Sequence, residues 1–199
     1  EIGSGLVGSE MCIRDSYNGV DHGKLRISDT VNALNTIGVP TEHLYFLGYA
    51  DNGGMGVGAF TTAFTDSFVY NIYVADDNKV ISSRNGVTET YGNENVRNDY
   101  HYLTTGEHAS YTRANFLADL KSVMESVNPT DVYMTSRYDM HYDHAYFGLF
   151  GIEAIKDIQA ENNDFQPTVH EAIIHSHMTD EVSVSYTHLR AHETGAYLV

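Results

Sequence analysis

The chain has 199 residues and a formal net charge of −16, from 11 Lys and Arg against 27 Asp and Glu. No basic stripe is present to neutralise phosphates, so nucleic-acid binding is not expected. The single cysteine, Cys12, excludes an internal disulfide and any cysteine-based zinc site, and no apolar run approaches the roughly 20 residues of a membrane-spanning helix.

The two ends read as translated DNA rather than as protein. Val7 to Asp15 can be coded GTG GGC TCG GAG ATG TGT ATA AGA GAC. The reverse complement of that string translates as Val-Ser-Tyr-Thr-His-Leu-Arg-Ala-His, which is Val184 to His192. The string resembles the adaptor of a transposon-based sequencing library. Residues 1–16 and 183–199 are therefore set aside as adaptor-derived. Residues 17–182 are expected to form one partial α/β domain with a real core. That segment keeps nearly all of the acidic excess, because the tails hold Arg14 and Arg190 against only Glu1, Glu10, Asp15 and Glu193. On this reading the natural N-terminus is missing, so the compartment is left open.

Leu25 to Ile37 reads as a helix, with Ile27, Val31 and Leu34 on one face and Gly38 and Pro40 closing it. Leu44 to Leu47 reads as a short buried strand, and Asp51 to Gly58 as a glycine-rich loop. That loop is no dinucleotide fingerprint, since no acidic residue follows at the required distance. Phe60, Phe64 and Phe68 recur at helical spacing. Val69 to Val74 and Lys79 to Ser82 flank Asp76-Asp77-Asn78, which predicts a hairpin. Asn85-Gly86 marks a second turn before Val87 to Tyr91. A polar stretch then runs to Tyr111. Its tyrosines, Tyr91, Tyr100, Tyr102 and Tyr111, either stack on sugar rings or simply pack. His101 and His108 either rim a pocket or sit exposed in a loop.

Thr112 caps a helix through Val127 with the stripe Phe116, Leu120, Val123 and Val127, and Pro129 lies just beyond it. Asp131 to Ser136 reads as a strand. His141-Tyr142-Asp143-His144 follows, and a helix then runs to about Ala160. Thr168 to His175 is the last strand; His175 and His177 make a metal pair or a solvated strand end. Helices alternate with strands, which predicts a mainly parallel, Rossmann-like α/β sheet flanked by helices, with an antiparallel β insertion in the middle and its first βα unit missing.

The most informative stretch is His141 to His144. Two imidazoles and a carboxylate lie within one turn, at the carboxyl end of a strand, where open α/β sheets place ligands. His-x-x-His at a helix start lets two side chains converge on one ion. The plain alternative is a loop with two solvated histidines.

These residues resemble the PIG-L / LmbE-like family of zinc-dependent N-deacetylases. The family's His-Pro-Asp-His is similar to His141-Tyr142-Asp143-His144. Its Asn-Gly-Asp and Arg-x-x-Glu resemble Asn18-Gly19-Val20-Asp21 and Arg26-Ile27-Ser28-Asp29, and its Leu-Gly-x-x-Asp resembles Leu47-Gly48-Tyr49-Ala50-Asp51. The resemblance covers most of residues 17–182, with about Met55 to Tyr91 as an insertion. Tyr142 stands where the family has proline, Val20 interrupts Asn-Gly-Asp, and Asp29 replaces a glutamate.

The resemblance implies removal of an N-acetyl group from an amino sugar or its conjugate, an amidohydrolase reaction on a linear C–N bond. It implies one zinc ion, with His144 as a ligand. His141 would act beside the oxyanion, and Asp143 would orient a histidine. Arg26 and Asp51 would hold sugar hydroxyls, with a helix-surface charge and a loop cap as equal alternatives. The family's first motif, His-Pro-Asp-Asp-Glu, carries the other two ligands and the base. It would precede the junction at Ser16, so the chain as written is expected to be inactive. Two other functions compete: another metal-dependent hydrolase such as a phosphoesterase, which lacks a basic clamp beyond Arg137, and a non-catalytic carbohydrate-binding module.

Overall fold

The computed structural model describes residues 19–50, 67–83 and 85–174. The expected adaptor tails, the glycine-rich loop, Asp51, Phe60, Phe64, His175 and His177 lie outside the described residues. The chain divides into two compact units. One draws on Glu1–Ala50 and Ser82–Tyr111, the other on Asp51–Ile81 and Thr112–Val199.

The first unit is organised on helix α1, Gly19–Thr36. It starts earlier than the apolar pattern predicts. Ile27 and Val31, one turn apart, are buried and pack with Leu44, while Leu34, Val39 and Phe46 flank them. The helix ends in a Schellman motif. The amide of Val39 donates to Leu34 O (3.0 Å) and that of Gly38 to Asn35 O (3.0 Å), and Gly38 takes the left-handed conformation this ending requires, at φ 90°. A 3-10 turn, Thr41–His43, follows.

Leu44 to Leu47 does not form the expected strand. Its carbonyls serve distant groups instead: Phe46 O accepts from Tyr100 N (2.7 Å), and Leu44 O from Arg97 Nε (3.2 Å). The Asn85-Gly86 turn is present, with Gly86 at φ 78° and Ser83 N donating to Val87 O (2.8 Å). Beyond it, pairing is confined among the described residues to single antiparallel bridges, Glu89 with Ser110 and Asn93 with Arg97. The polar stretch also holds a short helix that periodicity did not reveal, α3, Tyr100–Thr105, capped by Asp99 and closed by Gly106 at φ 85°.

The second unit contains α2, Phe68–Tyr73, α4, Arg113–Val127, β1, Asp131–Thr135, α5, Tyr142–Glu161, and β2, Thr168–Ala172. The predicted hairpin across Asp76-Asp77-Asn78 does not form: Val69 to Tyr73 is helical, and Lys79 to Ser82 has no regular structure. The β-branched and aromatic residues that suggested a strand pack as a helix face instead. Phe68, Val69 and Ile72 are buried, and the Tyr73 ring meets Phe150 of α5 edge-on at 4.9 Å. The turn itself survives, with Lys79 N donating to Asp76 O (2.9 Å).

Thr112 caps α4 as predicted, its side chain accepting from Asn115 N. Phe116 and Leu120 are buried, whereas Val127, at the end of the predicted stripe, is 52% exposed. The helix stops at Asn128, left-handed at φ 47°.

β1 and β2 pair in parallel, Val132 opposite Val169 and Thr135 opposite Ala172. A parallel pair needs a crossover, and α5 supplies it. The fold is thus mixed α/β, with a two-stranded parallel sheet among the described residues. Ile155, Ile158 and Phe165 pack with Met124 and Val132 on one part of α5. Elsewhere Phe116 stacks on Phe150 at 4.4 Å.

Candidate functional site

The cluster His141 to His144 lies where β1 gives way to α5. Its placement follows from a tight strand–turn–helix junction. Gly148, in the second turn of α5, lies so close to the end of β1 that an added Cβ would come 2.3 Å from Thr135 O. The Thr135 hydroxyl donates to His144 O (2.8 Å), tying the first turn of the helix to the strand end.

The turn itself is built around Asp139, a carboxylate with no exposed side-chain surface. One oxygen accepts from His141 N at 2.8 Å. The other accepts from Ile174 N, just past β2, at 2.7 Å, and lies 3.4 Å from His144 Nδ1. Ser136 supports the turn from below: it is buried, its amide donates to Ala172 O (2.8 Å), and its carbonyl accepts from Asp139 N (2.9 Å). Asp139 therefore fixes the backbone at His141, the chain beyond β2 and the ring of His144 together. A buried carboxylate satisfied by several donors is rigid, and the ring it touches becomes rigid with it.

His141 occupies the N-cap position of α5 with extended backbone. Its ring stacks on that of His144, with centroids 4.7 Å apart and planes at 26°. The two imidazoles lie side by side at one end of the helix. His144 is about one quarter exposed, at 28% of its side chain. Its Nδ1 faces Asp139, and that contact orients the imidazole.

Asp143, the third member of the cluster, ties α2 to α5. It accepts from the Ser67 hydroxyl and from Val69 N at 3.1 Å, while the Ser67 oxygen in turn accepts from Tyr70 N (3.0 Å). The carboxylate thus closes the N-terminus of α2, where unpaired amides favour negative charge. Tyr142 points into an aromatic group, its ring meeting Tyr70 at 5.8 Å and Tyr146 at 5.6 Å.

Arg26 is an exposed residue of α1 in the first unit, and Asp51 lies outside the described residues. Sequence reasoning missed Asp139. The signal was Asp-x-His, in which a carboxylate two residues ahead of an N-cap closes a turn on that residue's amide. It also missed Ser67, whose role depends on a partner 76 positions away.

Among the described residues no group of three or more His, Cys, Asp or Glu side chains is arranged to hold a metal ion. No helix among them is long and apolar enough to cross a membrane. No protein-family model, curated protein or solved structure matches this chain.

The donor chemistry suits zinc at one position. A histidine bound through Nε2, with a carboxylate on Nδ1, is the usual support of a zinc ligand. His144 and Asp139 make that pair. Stacking places the His141 ring alongside that of His144.

Proposed function

We propose that this chain carries part of the site of a zinc-dependent N-deacetylase acting on an amino sugar or its conjugate, on a Rossmann-like sheet of which β1 and β2 are two strands. The single observation that carries this reading is the Asp139–His144 pair beside the stacked His141, at the carboxyl end of a parallel strand. The family resemblance supplies the substrate class; the geometry supports the division of labour within the cluster.

In this reading His144 Nε2 is one zinc ligand, and by the resemblance the remaining ligands and the general base precede α1 in sequence. When bound, zinc supplies a Lewis acid and an acidified water. The chain's own residues do the rest. Asp139 holds His144 in the correct tautomer and orientation. His141 stands next to the metal position, where its imidazole donates a hydrogen bond to the developing oxyanion or a proton to the departing amine. Asp143 keeps α2 against the first turn of α5 and so positions the helix end that carries both histidines.

The test is to assay the chain beside a version extended upstream with the family's first motif, using N-acetylglucosaminyl conjugates. The extended protein is expected to hold one zinc and release acetate, and the chain alone to do neither. In the extended protein, His144→Ala should lose zinc. His141→Ala should keep zinc and lose roughly 10²–10⁴-fold in turnover, as for a positioned acid or base. Stoichiometric zinc and turnover from the chain alone would overturn the shared-site reading. An extended protein that binds zinc and releases phosphate, but never acetate, would make it a phosphoesterase instead.

A further inference from the structure

The first unit carries a feature that the deacetylase reading does not use. A half-open cavity of about 440 Å³ is lined by Lys24, Glu89, Tyr91, Glu94, Tyr102 and His108, among others. That volume is in the range of small-molecule sites, about 300–1,000 Å³. Behind its wall lies Asp99, a buried carboxylate with no exposed side-chain surface, whose Oδ2 sits 2.6 Å from His108 Nδ1. Its other oxygen accepts from the Thr90 hydroxyl (2.9 Å) and from Tyr102 N (3.2 Å). Asp99 is therefore a built feature of the fold, hydrogen-bonded through both oxygens, and it orients the His108 ring.

The lining has a definite chemical character. His108 Nδ1 faces Asp99, and in the neutral imidazole that donates there Nε2 is an acceptor. Glu89 is exposed and offers two more acceptor oxygens. Lys24 is the cation of the wall, and its charge is already engaged by both oxygens of Glu94, at 3.1 and 2.8 Å. The balance of Glu89, Glu94 and Asp99 against Lys24 is negative, within a chain of net charge −16. The Tyr102 ring, tilted against His108 at 4.8 Å, adds an aromatic surface. Carboxylates, an imidazole acceptor and aromatic rings together favour a ligand that donates hydrogen bonds and carries positive charge. Anions are repelled from such a wall.

We propose that this cavity is a binding site for a small organic cation bearing a primary amine, with Glu89 and His108 Nε2 accepting from the ammonium and Tyr102 covering its alkyl part. The cavity belongs to the first unit, and binding there needs neither metal nor hydrolysis.

The test is a ligand-observed NMR titration of the full chain with n-butylammonium chloride at neutral pH. Glucose and inorganic phosphate serve as neutral and anionic comparisons. Butylammonium is expected to bind, and to bind more weakly as salt rises. Tyr102→Ala and Glu89→Gln should each weaken it by about tenfold, and Tyr102→Phe should restore it. Glu125→Gln, an equal change of charge at an exposed position of α4, should leave it unchanged. Circular dichroism checks that each variant folds, and Glu89→Gln alters only an exposed carboxylate. Lack of butylammonium binding would overturn the proposal. So would binding that survives both Tyr102→Ala and Glu89→Gln, or a Tyr102-dependent preference for glucose or phosphate. None of these results bears on zinc or acetate release, so this proposal and the deacetylase reading fail independently.

Discussion

Single side chains decide most of what the candidate site can do, and Asp139 is the one with the largest expected effect. It is buried and accepts from two backbone amides, His141 N and Ile174 N. Asp139→Ala strands both donors, at a cost of about 1–3 kcal/mol for each buried group left unsatisfied. A lowered urea midpoint would report that loss. Asp139→Asn keeps one acceptor and should lie between the two. Equal stability of wild type and Asp139→Ala would show that the turn does not depend on it.

Tyr111 makes a second prediction, on pH. It is fully buried and its hydroxyl donates to Gly48 O at 3.2 Å. Burial raises its phenol above the ordinary value of 10.0, and nearby Tyr91 and Asp99 push the same way against a backbone hydrogen bond at Ala50. The unfolded chain therefore releases this proton first as pH rises. Between the two values the folded state binds more protons, so stability falls with increasing pH above about 10. Urea midpoints from about pH 8 to 11 should decline, and Tyr111→Phe should flatten part of the decline. An unchanged slope in that variant would assign the effect to other groups.

Among the helices, α5 matters most, because it carries the two histidines and crosses between the paired strands. Its approach to β1 depends on Gly148. A methyl group there would lie 2.3 Å from Thr135 O, which is backbone and does not rotate away. Gly148→Ala is expected to push the helix off the strand end. Overpacking of this kind costs roughly 1–3 kcal/mol, outweighing the better helix propensity of alanine, about 1 kcal/mol. Thermal unfolding would measure it, and a stabilised variant would contradict the contact.

The short helix α2 depends on Ser67, which caps it and meets Asp143. A six-residue helix has little stability of its own. Ser67→Ala removes the cap and one partner of a carboxylate, for a loss of about 1–2 kcal/mol. Hydrogen exchange at Tyr70, Asn71 and Ile72 should quicken more than in α4. Uniform exchange rates across both helices would show that the cap is not what holds α2.

Across the whole chain, the dominant feature is charge. A net −16 on 199 residues means self-repulsion in the compact state. Raising ionic strength from about 0.01 to 0.15 M shortens the screening length from roughly 30 to 8 Å. The thermal midpoint is expected to rise over that range. A midpoint that falls would mean that attractive pairs such as Arg113 with Glu153 and Asp77 outweigh the repulsion.

Local signals in the sequence were enough for features that depend on a few neighbouring residues. The cap Thr112, the stop at Gly38, the turn at Asn85-Gly86 and the strand–cluster–helix order around His141 all rest on backbone preferences or a periodic face, and the structure has each of them. Val69 to Tyr73 was legible only as apolar and β-branched, a pattern that a short strand and a buried helix share. Its helical state was decided by distant partners, Asp143 at its start and Phe150 on its face. Leu44 to Leu47 failed as a strand for the same reason, since its Phe46 carbonyl was taken by Tyr100 and its Leu44 carbonyl by the Arg97 side chain. In the candidate site, the sequence supplied the residue types of His141 and His144. Only the folded chain brought Asp139 to His144 and Ile174 together, because a hydrogen bond to a backbone amide beyond β2 leaves no mark in the sequence around either residue.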